Sequence, residues 1–378
     1  MDIECKIKLP IGFSKRQNTR YVQQGTVILV VFAVMMFLTA KMIGVPRYHL
    51  NLNQPAFLVK TYPEVIQVLY FNKPEWVSGK EFEGCEYPCE MVWGSKDFDT
   101  AKVVIFHGPR LGKINPPKKS RAQLWIMHGM ESPPHYHNDL SQWSNLFNWT
   151  FTYRRDSDVL TSYSEFKQVP SKITTPNITT QWMKKERMTA WMVSNCGTPS
   201  KRERYKQILQ KAIDIHVYGG CGTYRCARSN ENSCMDILQR HYKYYLAFEN
   251  SLCVDYVTEK AFKTYIFSPS TIPVMRGGTN YSLYFPPRSY LDAKDFKSAY
   301  ELGKAMHVSN MKIRKLENIF SWTKTTSINQ MIKNHDSWCS LCERIHRSDS
   351  YKRLYSNIKF WLNDIPRSAC KSPTDLTR

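Results

Sequence analysis

The chain is short of negative charge and carries none of the signatures that mark several common enzyme classes. No GxGxxG or GxxxxGK[ST] run occurs, which disfavours a nicotinamide or P-loop enzyme. HExxH and GxSxG are absent too, which argues against the usual metalloproteases and serine esterases. There is no internal repeat and no low-complexity tract. Only 32 Asp and Glu face 53 Lys and Arg, a formal net charge of +21. That surplus suits a polyanionic partner, whether nucleic acid, an anionic lipid surface or a nucleotide phosphate, and charge alone does not choose among them. With 42% hydrophobic and 13% aromatic residues the chain is too apolar for disorder, and 378 residues allow two medium domains or one large one.

Long apolar runs are also scarce, and the one that exists is informative. Tyr21 to Ala40 carries no charge, Val27 to Leu38 is wholly apolar, and Lys6, Lys8, Lys15, Arg16 and Arg20 precede it. About 20 residues cross a bilayer core, and preceding basic residues keep the N-terminus cytosolic. The expectation is a cytosolic tail at 1–20, a type II signal-anchor at 21–45 and a stem at 46–62. A cleaved signal peptide fits less well, because no small-x-small site stands out and the basic region is long. Three sequons follow, at Asn148, Asn177 and Asn280, which fits a lumenal fate. Of 11 cysteines only Cys5 precedes the anchor, which leaves an even ten in an oxidising compartment. Cys85-x3-Cys89 and Cys339-x2-Cys342 have zinc-like spacing. In that compartment, disulfides between the two pairs are expected instead, in an order the sequence leaves open.

Beyond the stem, short apolar runs alternate with amphipathic ones. Val65–Tyr70, Lys102–Phe106, Gln123–Met127 and Trp149–Tyr153 read as strands. A second series reads as strand Met188–Val193, a helix within Pro199–Ala212, strands Asp214–Tyr218 and Tyr244–Phe248, a helix over Thr258–Phe267 and strand Thr271–Met275. Such alternation predicts parallel sheets flanked by helices, with ligands beyond the strands' carboxyl ends. Asn195, Gly219, Glu249, Asn250 and Gly277 fall at such ends. Asp156-Ser157-Asp158 matches a D-x-D metal-nucleotide pattern, but Arg154 and Arg155 offer it simple ion-pair partners. The His135-Tyr136-His137 run reads as surface.

The segment Phe248-Glu-Asn-Ser-Leu-Cys-Val-Asp-Tyr-Val-Thr-Glu-Lys260 is the most specific. It ends a strand at Asn250 and opens a helix at Glu259 and Lys260, where partial positive charge and free N–H groups suit a diphosphate. This stretch, FNWTFTYRRDSDV from Phe147 and SNCGTPSKRERY from Ser194 resemble the α-1,3-fucosyltransferases, glycosyltransferase family 10. The resemblance runs from about Val65 to Phe296. It implies an α/β, GT-B-like fold of two Rossmann-like domains facing a cleft, an acceptor-side domain at 63–180 and a GDP-fucose-binding domain at 181–325. A C-terminal segment, 326–378, follows.

The resemblance also implies an inverting transfer of L-fucose from GDP-fucose. Donor contacts then fall on Tyr163, Arg202, Asn250, Tyr256, Glu259 and Lys260, and the catalytic base on Glu131 of the Met-Glu-Ser-Pro run. An inverting displacement needs such a base, and departing GDP needs placed cations. The expected acceptor is O3 of GlcNAc in a glycan, with a protein N-glycan foremost and the Golgi lumen as the place. No metal ligand is expected, Mn2+ or Mg2+ acting at most as a stimulant, and no nucleic acid is a partner. The alternatives are an inactive lectin-like or chaperone protein on the same fold and a different nucleotide-sugar transferase.

Overall fold

A computed structural model describes residues 64–136, 139–170, 178–225, 231–307, 311–328, 335–348, 353–364 and 367–376. The anchor expected at 21–45 and the sequon at Asn177 lie outside them. Among the described residues no helix is long and apolar enough to cross a membrane.

Strands β1 (Ile66–Tyr70), β2 (Cys89–Trp93), β3 (Val103–His107), β4 (Leu124–Gly129), β5 (Trp149–Thr152) and β6 (Val159–Leu160) form one parallel sheet, in the order β2-β1-β3-β4-β5-β6. The central strands β3 and β4 are nearly continuously apolar because both of their faces are covered. Val103, Ile105, Leu124 and Ile126 face one layer, and Val104, Phe106, Trp125 and Met127 face the other. Strand β7 (Phe166–Gln168) leaves this sheet and pairs antiparallel with a later strand, Thr326–Ile328.

Helix α1 (Ile178–Lys184) leads into the second sheet. Strands β8 (Arg187–Met192), β9 (Ile215–Tyr218), β10 (Tyr242–Phe248), β12 (Ile272–Arg276) and β13 (Leu291–Asp292) form it, all parallel, in the order β13-β12-β10-β8-β9. The short strand β11 (Leu252–Cys253) pairs instead with β15 (Cys370–Lys371), and β14 is the Thr326–Ile328 strand already met. On one face of the second sheet lie α2 (Arg202–Leu209), α5 (Ala299–Met306) and α6 (Ile313–Phe320); α3 (Glu231–His241) and α4 (Glu259–Phe267) cover the other. The alternation is again strict: Tyr244, Leu246 and Phe248 face the first group, Tyr245 and Ala247 the second.

The expected strands are present with ends shifted by one or two residues. Helix α2 is shorter than the run Pro199–Ala212, because Lys201 sits in the left-handed region (φ 47°) and starts the helix late. Sequence reading named no strand at Cys89–Trp93 and no element beyond residue 325. That C-terminal stretch in fact returns to the first sheet. Helix α7 (His335–His346) lays Trp338, Leu341, Cys342 and Ile345 on one face, an i, i+3, i+4, i+7 stripe. Helix α8 (Ile358–Asn363) contributes Ile358 and Leu362 to the other. Disulfides Cys85–Cys339 and Cys89–Cys342 tie α7 to the start of β2, and Cys253–Cys370 ties β11 to β15. Both sheets thus belong to one compact unit, Tyr62–Arg378.

The sequon expectation needs a correction at Asn148. Its side chain is buried, 4% exposed. Oδ1 accepts from Trp125 N (2.9 Å) and Lys119 Nζ (2.6 Å), and Nδ2 donates to Arg353 O (3.0 Å). A glycan on that nitrogen would break these bonds and enter the core. Asn280 is exposed and caps a single turn by accepting from Ser282 N (3.3 Å) and Oγ (2.9 Å). We expect Asn148→Ala to leave the glycan count unchanged but to cost about 1–3 kcal/mol, since Trp125 N–H loses its acceptor. Asn280→Gln should remove one glycan with a stability change within about 0.5 kcal/mol. Intact mass and urea denaturation of the secreted chain check both, and a glycan found on Asn148 would overturn the reading.

Candidate active site

The strand order of the second sheet reverses between β8 and β10, the place where an open parallel sheet leaves a crevice at its carboxyl edge. A cavity of about 390 Å³ lies there. The residues following β8 (Val193, Ser194, Asn195), the residues at the end of β9 (Tyr218, Gly219) and Asn250 after β10 line it, together with Arg202 of α2 and Glu259, Lys260 and Lys263 of α4. Disulfide Cys196–Cys221 joins the loops that follow β8 and β9.

Arg202 opens α2 and is buried. Its guanidinium donates to Phe248 O (2.9 Å) and Asn195 O (2.8 Å) and lies over the Trp191 ring, 5.8 Å from its centre. Burial pulls its pKa below the ordinary arginine value, with Glu203 and Glu249 opposing. Asn250 Oδ1 is buried at the cavity wall without a hydrogen-bond partner.

The buried Glu249 organises the next stretch. Its carboxylate accepts from Thr258 N (2.8 Å) and Thr258 Oγ1 (2.8 and 3.0 Å) and pairs with Lys260 Nζ (3.2 Å). Lys260 Nζ also donates to Thr258 Oγ1 (2.6 Å) and stands 3.5 Å from Glu259 Oε1. The expectation of a lysine awaiting a diphosphate therefore gains a detail: this ammonium already has carboxylate partners. Burial works against its charge, but Glu249 and then Glu259 outweigh that and hold it above the usual lysine value. For Glu249 burial prevails and raises the carboxyl pKa, Lys260 opposing. For Glu259 burial is outweighed by Lys260 and Lys263, and its pKa falls.

Glu131 stands just past β4, half-buried, and accepts from Tyr256 Oη at 3.2 Å. The loop behind it is fixed by Ser132 Oγ donating to Ser251 Oγ at 2.8 Å, both residues buried. Besides Tyr256, which contacts this carboxylate, three more tyrosines lie within its electrostatic reach. Burial raises the hydroxyl pKa of Tyr136, Tyr153, Tyr163 and Tyr256, and the charge of Glu131 adds to each. Tyr163 packs against the group containing Tyr153 and Tyr256 and lies within electrostatic reach of Glu259.

The structure thus brings Arg202, Asn250, Glu259 and Lys260 to one cavity, and gathers Tyr163 and Tyr256 about Glu131. Asn195 and Gly219 line the cavity as strand ends should, whereas Gly277 is not part of its wall. Lys263 escaped the sequence reading, although it sits four residues after Glu259, one turn along the same helix face. Asp156 and Asp158 are engaged elsewhere. Asp156 takes a bidentate pair from Arg154 (2.7 and 2.8 Å). Asp158 is buried against Thr150 N (2.9 Å), Tyr355 Oη (2.7 Å) and Arg353 (2.8 Å). Among the described residues the groupings with metal-ligand spacing are the two α7 disulfides with His335 and His346, whose sulfurs are already bonded to each other.

Two facing parallel-sheet units of this kind are the architecture of GT-B glycosyltransferases. A solved structure described as "Crystal Structure of alpha1,3-Fucosyltransferase with GDP-fucose" shares the fold, at TM-score 0.51 and 15% identity, over 79% of this chain and 95% of that one. Residues 182–361 match the model of "Glycosyltransferase family 10 (fucosyltransferase) C-term" and residues 63–164 that of "Fucosyltransferase, N-terminal". The chain belongs to the fucosyltransferases of glycosyltransferase family 10.

Among relatives, "Glycoprotein 3-alpha-L-fucosyltransferase A" of Drosophila melanogaster is 30% identical over 279 residues, 72% of this chain and 54% of that protein. "Alpha-(1,3)-fucosyltransferase C" of the same species is 33% identical over 282 residues, 68% of this chain and 64% of that protein. "4-galactosyl-N-acetylglucosaminide 3-alpha-L-fucosyltransferase 9" of Rattus norvegicus is 29% identical over 311 residues, 77% of this chain and 83% of that protein. The chain therefore matches about half to two thirds of the length of the two fly relatives.

Glu249 generates a prediction. Glu249→Ala leaves Lys260 facing a partly buried void and frees Thr258 N–H, so the fold should lose about 3–5 kcal/mol, the usual result of breaking a buried pair from one side. Guanidinium denaturation measures it, and a loss below about 1 kcal/mol would show that the pair is solvent-screened.

Proposed function

We propose that this chain transfers L-fucose from GDP-fucose to O3 of a GlcNAc residue of a glycan, with inversion at the fucose anomeric carbon, as an α-1,3-fucosyltransferase. The observation that carries the reading is the Tyr256–Glu131 contact at 3.2 Å, which puts a carboxylate of the first sheet against the segment that lines the cavity of the second. In a single displacement the acceptor hydroxyl oxygen bonds to fucose C1 while the bond from C1 to the diphosphate oxygen breaks. The acceptor proton passes to Glu131, and the electron pair leaves with GDP. Glu131, held by Tyr256, is the base; Arg202 and Lys260 meet the charge that grows on the leaving diphosphate. Glu259 is suited to sugar hydroxyls, and the unpartnered Asn250 Oδ1 to a donor hydroxyl or amino group.

The names of the relatives support L-fucosyl transfer and the O3 regiochemistry, and the N-terminal apolar run with paired cysteines supports a type II Golgi-lumenal setting. A protein N-glycan is our preferred acceptor. An inactive lectin-like protein is less well supported, because every chemical role above has its residue.

Two outcomes test the reading. Glu131→Gln keeps shape but accepts no proton, so turnover should fall about 100- to 10,000-fold with GDP affinity nearly intact. Lys260→Ala should instead weaken GDP binding itself. Calorimetry with GDP and product assays separate the two, and a Glu131→Gln enzyme keeping more than about a tenth of wild-type turnover would place the base elsewhere. Transfer should also persist in excess EDTA, since side-chain cations are proposed to meet the diphosphate; complete loss restored by manganese would refute this.

A further inference from the structure

The first sheet has its own reversal, between β1 and β3. Asn72, two residues past β1, clasps the end of β3 there: its Oδ1 accepts from His107 N (2.6 Å) and its Nδ2 donates to His107 O (3.2 Å). From this point a loop rises that is braced throughout. Lys73 Nζ donates to Val77 O, and Val77 N to Pro74 O (3.2 Å). Buried Glu81 accepts from Ser78 N (2.7 Å), Ser78 Oγ (3.0 Å) and Gly79 N (2.8 Å). Gly79, at φ 98°, lies so close to the Trp93 ring that a Cβ there would meet it at 2.6 Å. Val77 is fully buried as the anchor of the loop.

In the middle of this rigid loop Trp76 is left 56% exposed. Its ring meets His107 (6.0 Å between centroids, 77°) and His128 (5.8 Å, 63°) edge-on, at the carboxyl ends of β3 and β4. Leaving the largest apolar side chain in water on a loop that cannot relax over it is unfavourable for folding alone. His128 precedes Glu131 by three residues, a reach of at most about 10 Å. The two imidazoles beside the ring are biased toward neutrality: burial, then the Arg110 charge, lowers the His107 pKa to about 4, and burial, then His107, lowers that of His128 well below the ordinary value. His107 Nδ1 is buried without a hydrogen-bond partner. One indole face matches one sugar ring, far less than the roughly 800 Å² per partner of a protein interface.

We propose that Trp76 is the stacking platform for a neutral hexopyranose of the acceptor, the ring glycosidically joined to the one that presents its hydroxyl to Glu131. This deepens the transferase reading and rests on it; Trp76 sets acceptor specificity and touches no reacting atom. The test takes the full chain with GDP bound and follows saturation transfer to a GlcNAc monosaccharide glycoside and to β1-4-linked disaccharides containing GlcNAc. Fucose transfer to the same sugars is measured in parallel. Trp76→Ala should abolish saturation of the second ring, raise the disaccharide KM about tenfold, and leave monosaccharide transfer, GDP affinity and thermal unfolding unchanged. Trp76→Tyr should restore most of the disaccharide preference. If Trp76→Ala still saturates the second ring, or keeps the disaccharide-to-monosaccharide ratio, the platform is elsewhere. If the wild type binds the disaccharide through Trp76 but transfers nothing, the transferase reading fails while the sugar site stands.

Discussion

A single buried carboxylate fixes the geometry on which the second half of the site depends. Glu249 ends β10 inside the protein, and an unpartnered charge there would be costly. Its partners are Thr258 and Lys260, nine and eleven residues on, so the intervening chain must fold back as a closed loop. That loop carries Asn250 to the cavity wall, turns through β11, and starts α4 with Glu259 and Lys260 in its first turn. Disulfide Cys253–Cys370 and the antiparallel pairing of β11 with β15 hold the outer side of the same loop. A positive φ at Asp255 (60°) makes the turn, and its carboxylate accepts from Arg155 N (3.1 Å) and Tyr284 Oη (3.1 Å).

The same loop is also the seam between the two sheets. Ser251 meets Ser132, Tyr256 meets Glu131 and Asp255 meets Arg155 within a stretch of six residues. The carboxylate of the first sheet and the cations of the second are therefore placed by one peptide segment rather than by two independent surfaces. The C-terminal return reinforces this. Helices α7 and α8 cover both faces of the first sheet, while Asp375 pairs bidentately with Arg276 at the end of β12 (both contacts 2.7 Å).

Much of this was legible in the sequence because parallel sheets write themselves as short continuous apolar runs, and every parallel strand from Ile66 to Arg276 was readable except Cys89–Trp93 and the two-residue Val159–Leu160. Cys89–Trp93 is an edge strand with only Met91 buried and a glutamate within it, so its run is broken. The C-terminal helices were not legible for a different reason. Their stripes are short, and what they bury is a sheet more than 200 residues earlier, which no local pattern reports. Arg202, Asn250, Tyr256, Glu259 and Lys260 were found through motif resemblance, whereas the partnering of Lys260 by Glu249 requires the closed loop to be seen. Asn148 shows the opposite failure: the triplet is a chemical signal with no information on burial, and here its amide completes the core. The D-x-D pattern was read as ion-paired by its neighbouring arginines, which holds at Asp156 with Arg154, whereas the arginines at Asp158 come from positions 344 and 353.

These pairings bear on how the cavity can favour a leaving group. Arg202 donates to two carbonyl oxygens while its Nε has no hydrogen-bond partner, and Lys260 is met by two carboxylates and a hydroxyl. In the proposed transfer, a diphosphate arriving in the ground state would have to share or displace those partners of Lys260, so the attraction that remains would be modest. As the bond to the sugar breaks, negative charge accumulates on the departing oxygens while the carbonyl and carboxylate partners stay as they were. The balance then tips toward the phosphate. Cations that are already held in place need no reorganisation when this happens, and their interaction is greater in the transition state than before it. A free lysine and a free arginine would bind the nucleotide more tightly and spend that affinity equally on both states. In that proposed transfer the buried Glu249, by keeping Lys260 partnered, would serve the chemistry as much as the cation it holds.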